Sequence, residues 1–255
     1  MACYEKYHAR EIKYLYFFIS FIYFESNSFA KKEGCGKMNA KKQLISGIML
    51  VAAFALWTWL IQTIDVQPVG QNGTDIGFAA FNCWFHKLTG VHMMIYIITD
   101  WMGLVPVFVC MVFGMVGLVQ MVKRRSLFKV DFDIVLLGIY YVIVILCYLI
   151  FEMIPINFRP ILIGGFMEAS YPSSTTLLVL SVMPTLVFQA KRRLGNAKIV
   201  SILTTTFSLC MVIGRLLSGV HWFTDIVGSV LLSIGLFFLY KAVVLLKCKD
   251  KWEVV

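Results

Sequence analysis

Charge is what this sequence has least of. Only 15% of its 255 residues are Asp, Glu, Lys or Arg, while 60% are hydrophobic; a soluble domain of ordinary composition carries about 25% charged residues. With a mean hydropathy of +0.81, a soluble globular class is excluded. Acidic residues are scarcer still, 14 against 23 basic ones, giving a formal net charge of +9. That excess does not point to nucleic acid, because no RNA- or DNA-binding motif is present. The cations instead sit in short clusters between apolar runs, as they do on the cytoplasmic side of membrane proteins. The seven cysteines include no CxxC pair, and Cys110, Cys147 and Cys210 lie inside apolar runs. They read as small core hydrophobes, so neither a disulfide framework nor a metal site is expected.

What is abundant is apolar sequence of membrane-crossing length, roughly 20 residues per helix. Six spans are predicted: Leu44–Ile64, Trp101–Val122, Ile134–Phe151, Ser173–Gln189, Ile199–Leu217 and Phe223–Leu246. The predicted fold class is therefore an all-α, polytopic membrane helical bundle with six transmembrane helices. Asp65–Gly77 reads as a polar loop, and Phe78–Thr99, which mixes aromatics with Asn82, His86, Lys87 and His92, as an interfacial helix or re-entrant piece. Residues 38–255 form one membrane domain. The segment 1–37 is atypical: Leu15–Phe24 is about half a span long and lacks the small-residue cleavage site of a signal peptide. It is either an interfacial segment or lies upstream of a true start at Met38. Lys31-Lys32-Glu33-Gly34 is encodable by a purine-rich stretch resembling a bacterial ribosome-binding site, which favours the second reading and a bacterial source.

The basic clusters Lys41-Lys42, Lys123-Arg124-Arg125, Lys191-Arg192-Arg193 and Lys247/Lys249/Lys251 all fall on one side of a six-span layout. The positive-inside rule makes that side cytoplasmic. Both ends of the Met38 form are then cytoplasmic, and the loops 65–100, 152–172 and 218–222 face outward from a cell membrane.

Three segments at those outward loops are not explained by hydropathy: Glu152 through Arg159-Pro160, Tyr171-Pro172-Ser173-Ser174-Thr175-Thr176, and Gly214-Arg215 through His221 to Asp225. Charged groups there sit where a lipid head group lies. His221 and Asp225 are four apart at the predicted start of a helix and so would share a face. Asp225 would accept from one ring nitrogen and leave the other free to attack or to move a proton. Ser173, Ser174 and Thr175 stand at a predicted helix N-terminus, where hydroxyls cap and where free N–H groups bind phosphate; both readings remain open. Arg159 is either a planar bidentate phosphate donor or a snorkelling interface residue. Arg215 closes the preceding span and can reach the same point.

In order and spacing these segments resemble the three motifs of the type 2 phosphatidic acid phosphatase superfamily, KxxxxxxRP, PSGH and SRxxxxxHxxxD, a fold also seen in vanadium haloperoxidases. The resemblance covers roughly Ile134–Leu246. It implies a metal-independent integral-membrane lipid phosphatase, without cofactor, acting on a lipid phosphate or pyrophosphate. His221 would form a phosphohistidine, Asp225 would orient it, and Arg159, Arg215 and the Ser173–Ser174 backbone with Thr175 would hold the phosphoryl oxygens. Three positions depart from the pattern: Glu152 replaces Lys, Thr175 replaces the His that protonates the leaving oxygen, and Gly214 replaces Ser. A threonine hydroxyl is not acidic near neutral pH, and a missing general acid costs about 10²–10⁴-fold for a poor leaving group. An isoprenyl pyrophosphate, whose leaving group is a lipid phosphate, is therefore favoured, unless Glu152, Glu168, His86 or His92 supplies the proton. Glu152 would pair with Arg159 or Arg215 or meet a cationic head group. The alternatives are a non-hydrolytic lipid-phosphate binder or transporter, and a lipid phosphoryl or head-group transferase. The sequence does not specify an oligomeric state.

Overall fold

The structure, a computed structural model, describes residues 36–194 and 197–249. Leu15–Phe24 and nearly all of the atypical segment 1–37 lie outside the described residues. Those described form eight α-helices: α1 (Gly36–Ile61), α2 (Ala79–Thr89), α3 (Met93–Met102), α4 (Leu104–Arg124), α5 (Phe132–Met153), α6 (Ser174–Leu194), α7 (Lys198–Leu217) and α8 (Phe223–Lys249). No strand forms among them, only isolated bridges. Among the described residues, six spans are long and apolar enough to cross a bilayer: Asn39–Ile61, Met93–Arg124, Phe132–Met153, Ser174–Arg193, Lys198–Leu217 and Phe223–Lys247. The chain is an all-α, multi-pass membrane bundle.

One expectation needs correction. Phe78–Thr99 is not a single interfacial or re-entrant piece. Gly90, at φ +70, ends α2 by donating its N–H to the His86 carbonyl, the left-handed stop that glycine permits. From Met93 onward the chain belongs to the second span, which runs 32 residues to Arg124. α3 and α4 are its two halves, joined at Gly103, which keeps helical angles and donates to Thr99 and Asp100 carbonyls at 3.0 Å. The break follows from Pro106, which has no N–H to complete the bond to Met102.

α6 and α8 are the inner helices, with 61% of each span buried, against 11% for the α3–α4 span. Polar side chains on them would be costly facing lipid and turn inward, where most find partners. Tyr141 and Thr185 hydroxyls meet at 2.7 Å, Tyr140 donates to the Ser181 carbonyl at 3.0 Å, and Gln189 donates to Tyr240 at 2.8 Å. Leu137, Val144, Leu177, Val182, Met211 and Phe237 pack around them. At the basic end of the bundle, Arg193 lies 3.2 Å from Asp133 and 3.6 Å from Asp131, Arg124 lies 2.8 Å from Asp131, and Lys247 sits over the Phe132 ring. The loops at the other end carry the three unexplained segments.

Candidate active site

Between α5 and α6 the chain folds back on itself as a short hairpin. Arg159 N–H donates to the Glu168 carbonyl at 3.1 Å, Ser170 N–H to the Asn157 carbonyl at 2.8 Å, and Ile163 and Phe166 close the turn. Alternation along an extended chain sends residues two apart to one face, so Asn157 and Arg159 are presented together, as are Glu168 and Ser170. Gln71 braces the hairpin by donating to the Pro160 carbonyl at 2.8 Å. Past Ser170, the Tyr171 hydroxyl meets Thr58 at 2.7 Å and its ring stacks on Phe54, which fixes the entry to α6.

The turn before α8 is seated on the α2–α3 connection. Gly219 has φ +69, and a Cβ there would meet the Gly90 carbonyl oxygen. Only glycine allows both the angle and the approach. His92 N–H donates to the Ser218 carbonyl and the His86 Nε2 to the Gly219 carbonyl, both at 3.0 Å. Asn82, fully buried, donates to Thr224 Oγ1 at 3.0 Å and to the Gly77 carbonyl at 2.8 Å. These contacts fix where His221 and the start of α8 stand.

His221 and Asp225 do not share a helical face. α8 begins at Phe223, leaving His221 outside it, and the His221 Nδ1–Asp225 Oδ2 distance is 3.9 Å, beyond hydrogen-bond range. Asp225 stands in the first turn and reaches back to accept the Trp222 N–H at 2.9 Å, as a helix-capping carboxylate does. It also accepts from Asn157 Nδ2 at 3.2 Å and from the Ser170 hydroxyl in a short bond. Ser170 is thus the link: its hydroxyl and its carbonyl both lie 3.1 Å from His221 Nδ1. A carbonyl can only accept, so the ring proton resides on Nδ1 and the Nε2 lone pair is free. Burial, then the charges of Arg159 and Arg215, push His221 well below the usual histidine range. The ring is therefore neutral near pH 7.

The two arginines flank this ring. Arg215, 1% exposed, donates from Nη2 to Asp100 at 3.0 Å and to the Thr175 hydroxyl, and its Nη1 stands a long 3.5 Å from Thr99 Oγ1. Arg159, also buried, has Nη2 on Glu168 at 3.1 Å. Both guanidinium groups lie over the Tyr96 ring, at 5.8 Å for Arg159 and 5.0 Å for Arg215. Arg159 Nε and Nη1, Arg215 Nε and His221 Nε2 are buried without a hydrogen-bond partner. Burying such groups unpaired is costly, and four of them gathered here describe a cradle for an anion.

Ser173 and Ser174 stand at the start of α6. The Ser173 hydroxyl contacts Thr176 Oγ1 at 3.2 Å, and its N–H donates to the Asp225 carbonyl at 3.4 Å. The first intrahelical bond is Leu177 N–H to the Ser173 carbonyl, which leaves the Ser174, Thr175 and Thr176 N–H groups as open donors of the helix end. Glu152 does not join the site. It is exposed in the last turn of α5, and the partners expected of it are taken by Glu168 and Asp100. His86 and His92 rings are held on the carbonyls of Gly219 and Thr89. Gly214 has a packing reason: a Cβ there would lie 2.7 Å from Thr99 Cγ2.

Sequence reasoning missed Ser170, Asn157, Tyr96, Thr99 and Asp100. The only signal for Ser170 and Asn157 was polar residues in a loop, and for Asp100 a lone carboxylate within an apolar run.

No protein-family model and no curated protein matches the sequence. Among solved structures, the chain is similar to the crystal structure of a transmembrane PAP2-type phosphatidylglycerolphosphate phosphatase from Bacillus subtilis. The two are 18% identical with a TM-score of 0.57, covering 81% of this chain and 96% of that one. At that identity the likeness concerns architecture. The chain has the fold of the PAP2-type transmembrane phosphatases.

Proposed function

We propose that this protein is a membrane lipid phosphatase that attacks a lipid phosphate or pyrophosphate through His221. The observation that carries the reading is the polarisation of that ring: Nδ1 is held by Ser170, whose hydroxyl in turn donates to Asp225, while Nε2 remains unpartnered beside two buried arginines. Nε2 attacks phosphorus and forms a phosphohistidine. Arg159, Arg215 and the open N–H groups of α6 take up charge on the phosphoryl oxygens, where fixed donors stabilise a transition state most. Ser170 and Asp225 stabilise the positive charge that develops on the ring. No step requires a metal, since the guanidinium groups supply the positive charge.

Thr175 favours an anhydride substrate. Its hydroxyl is engaged by Arg215 and cannot protonate an alkoxide, whereas a lipid phosphate leaves from a pyrophosphate without a proton donor. An isoprenyl pyrophosphate is the substrate we favour. The four basic clusters support an active site at the outer face of a cell membrane. Phosphate release from a panel of lipid mono- and pyrophosphates by detergent-purified protein, run beside His221→Ala, tests the reading; equal release by the variant overturns it. A non-hydrolytic lipid-phosphate binder is favoured by one observation, that each arginine already carries a carboxylate partner. Binding of lipid phosphate with no turnover above the His221→Ala background would select it.

A further inference from the structure

A phosphohistidine must be hydrolysed, and that step needs a group to take a proton from water. Several candidates are already committed. The Asp225 carboxylate is fully buried and holds Ser170, Asn157 and the Trp222 N–H. His86 and His92 are engaged with carbonyl oxygens. Glu152 is exposed at the end of α5, outside the site's hydrogen bonds. Two carboxylates contact the arginines of the site, Glu168 on Arg159 and Asp100 on Arg215. Glu168 belongs to the hairpin itself: its carbonyl accepts the Arg159 N–H and its side chain pairs with the same residue, a cross-strand pairing that a hairpin uses for its own stability.

Asp100 differs. It comes from a separate element, the last turn of α3, and its side chain is 56% exposed while the arginine it touches is 1% exposed. It meets Arg215 Nη2, the same nitrogen that holds Thr175 at the start of α6. Two of the three departures from the motif pattern also face α3. Thr175 shares that nitrogen with Asp100, and Gly214 makes room for Thr99, the residue before Asp100.

Resting on the phosphatase reading above, we infer that Asp100 is the general base for hydrolysis of the phosphohistidine. A water between Asp100 and the phosphoryl group attacks phosphorus. The new P–O bond forms as the P–Nε2 bond of His221 breaks, and the bonding pair returns to Nε2. The water's proton passes to the Asp100 carboxylate and from there to solvent, which its exposure allows. Arg215 holds base and phosphoryl group together.

The test uses an isoprenyl pyrophosphate radiolabelled in its terminal phosphate, rapid mixing with detergent-purified protein, and an alkaline quench that preserves phosphohistidine. Asp100→Asn is expected to become labelled in the first turnover as the unaltered protein does. It should then keep the label, with steady-state phosphate release reduced about 10²–10⁴-fold. Asp100→Glu, which retains a carboxylate, should recover part of the turnover, and Glu168→Gln should not accumulate label. Labelling of Asp100→Asn also shows that it is folded. Two results overturn the role alone: turnover of Asp100→Asn within tenfold of the unaltered protein, or slow turnover with no trapped label, which would make Asp100 only a holder of Arg215. If no variant is ever labelled and His221→Ala releases as much phosphate as the unaltered protein, the phosphatase reading falls and this role with it.

Discussion

The two ends of the bundle use arginine in opposite ways. At the basic end, Arg124, Arg192 and Arg193 are partly exposed and face Asp131 and Asp133 at 2.8–3.8 Å. These pairs tie the loop before α5 and the first turn of α5 to the ends of α4 and α6, and keep their outer edges in water. At the other end, Arg159 and Arg215 are buried, each with one carboxylate, and between them three guanidinium nitrogens lack partners. An exposed pair contributes little because water and salt compete with it. A buried arginine with donors to spare is poised to bind an anion, and its cost is offset when the anion arrives.

That contrast can be broken experimentally, and the largest effect is expected at the ring. His221→Ala should lower phosphate release at least about 10³-fold, since the nucleophile itself is lost. Arg215→Ala or Arg159→Ala should each cost about 10²–10³-fold in kcat/KM, the scale of losing a fixed transition-state donor. Ser170→Ala should cost about tenfold to a hundredfold, because it removes the link between His221 and Asp225 without moving either. A steady-state assay on detergent-purified variants checks all of these.

Two smaller effects would sharpen the comparison. The His221 ring is held below the ordinary value of 6.5 by burial and by the two arginines. Its neutral, nucleophilic form therefore persists as the pH falls, and the ring followed by NMR should not titrate at that value. Titration at the ordinary histidine position would mean that neither burial nor the arginines act on the ring. At the opposite end, Asp133→Asn removes a carboxylate from Arg192 and Arg193. It should cost about 1 kcal/mol or less in stability and leave turnover unchanged, as denaturation and phosphate release would show.

Much of this was readable from the amino-acid order. Apolar length and the four basic clusters outlined six spans, and Arg159, Arg215, His221 and Asp225 stood out as charged or titratable groups at span ends. The direct His221–Asp225 contact was not readable correctly, because it assumed helix where the chain is still a turn. Ser170 reaches His221 across 51 residues and Asp100 reaches Arg215 across 115. Periodicity reports which face of a segment is apolar, not which distant loop will dock against it. The joint at Gly103 was hidden for a related reason: hydropathy measures apolar length and does not register the hydrogen bond that Pro106 withholds.

The hairpin between α5 and α6 supplies Arg159, which borders the anion cradle, and Ser170 and Asn157, which hold the ring and Asp225. Because side-chain direction alternates along an extended chain, a slip of one residue would turn Asn157, Arg159 and Ser170 away together. Substrate grip and nucleophile activation are thus interlocked on one short stretch of backbone, so disorder there would switch the site off as a whole instead of leaving a weakened remnant.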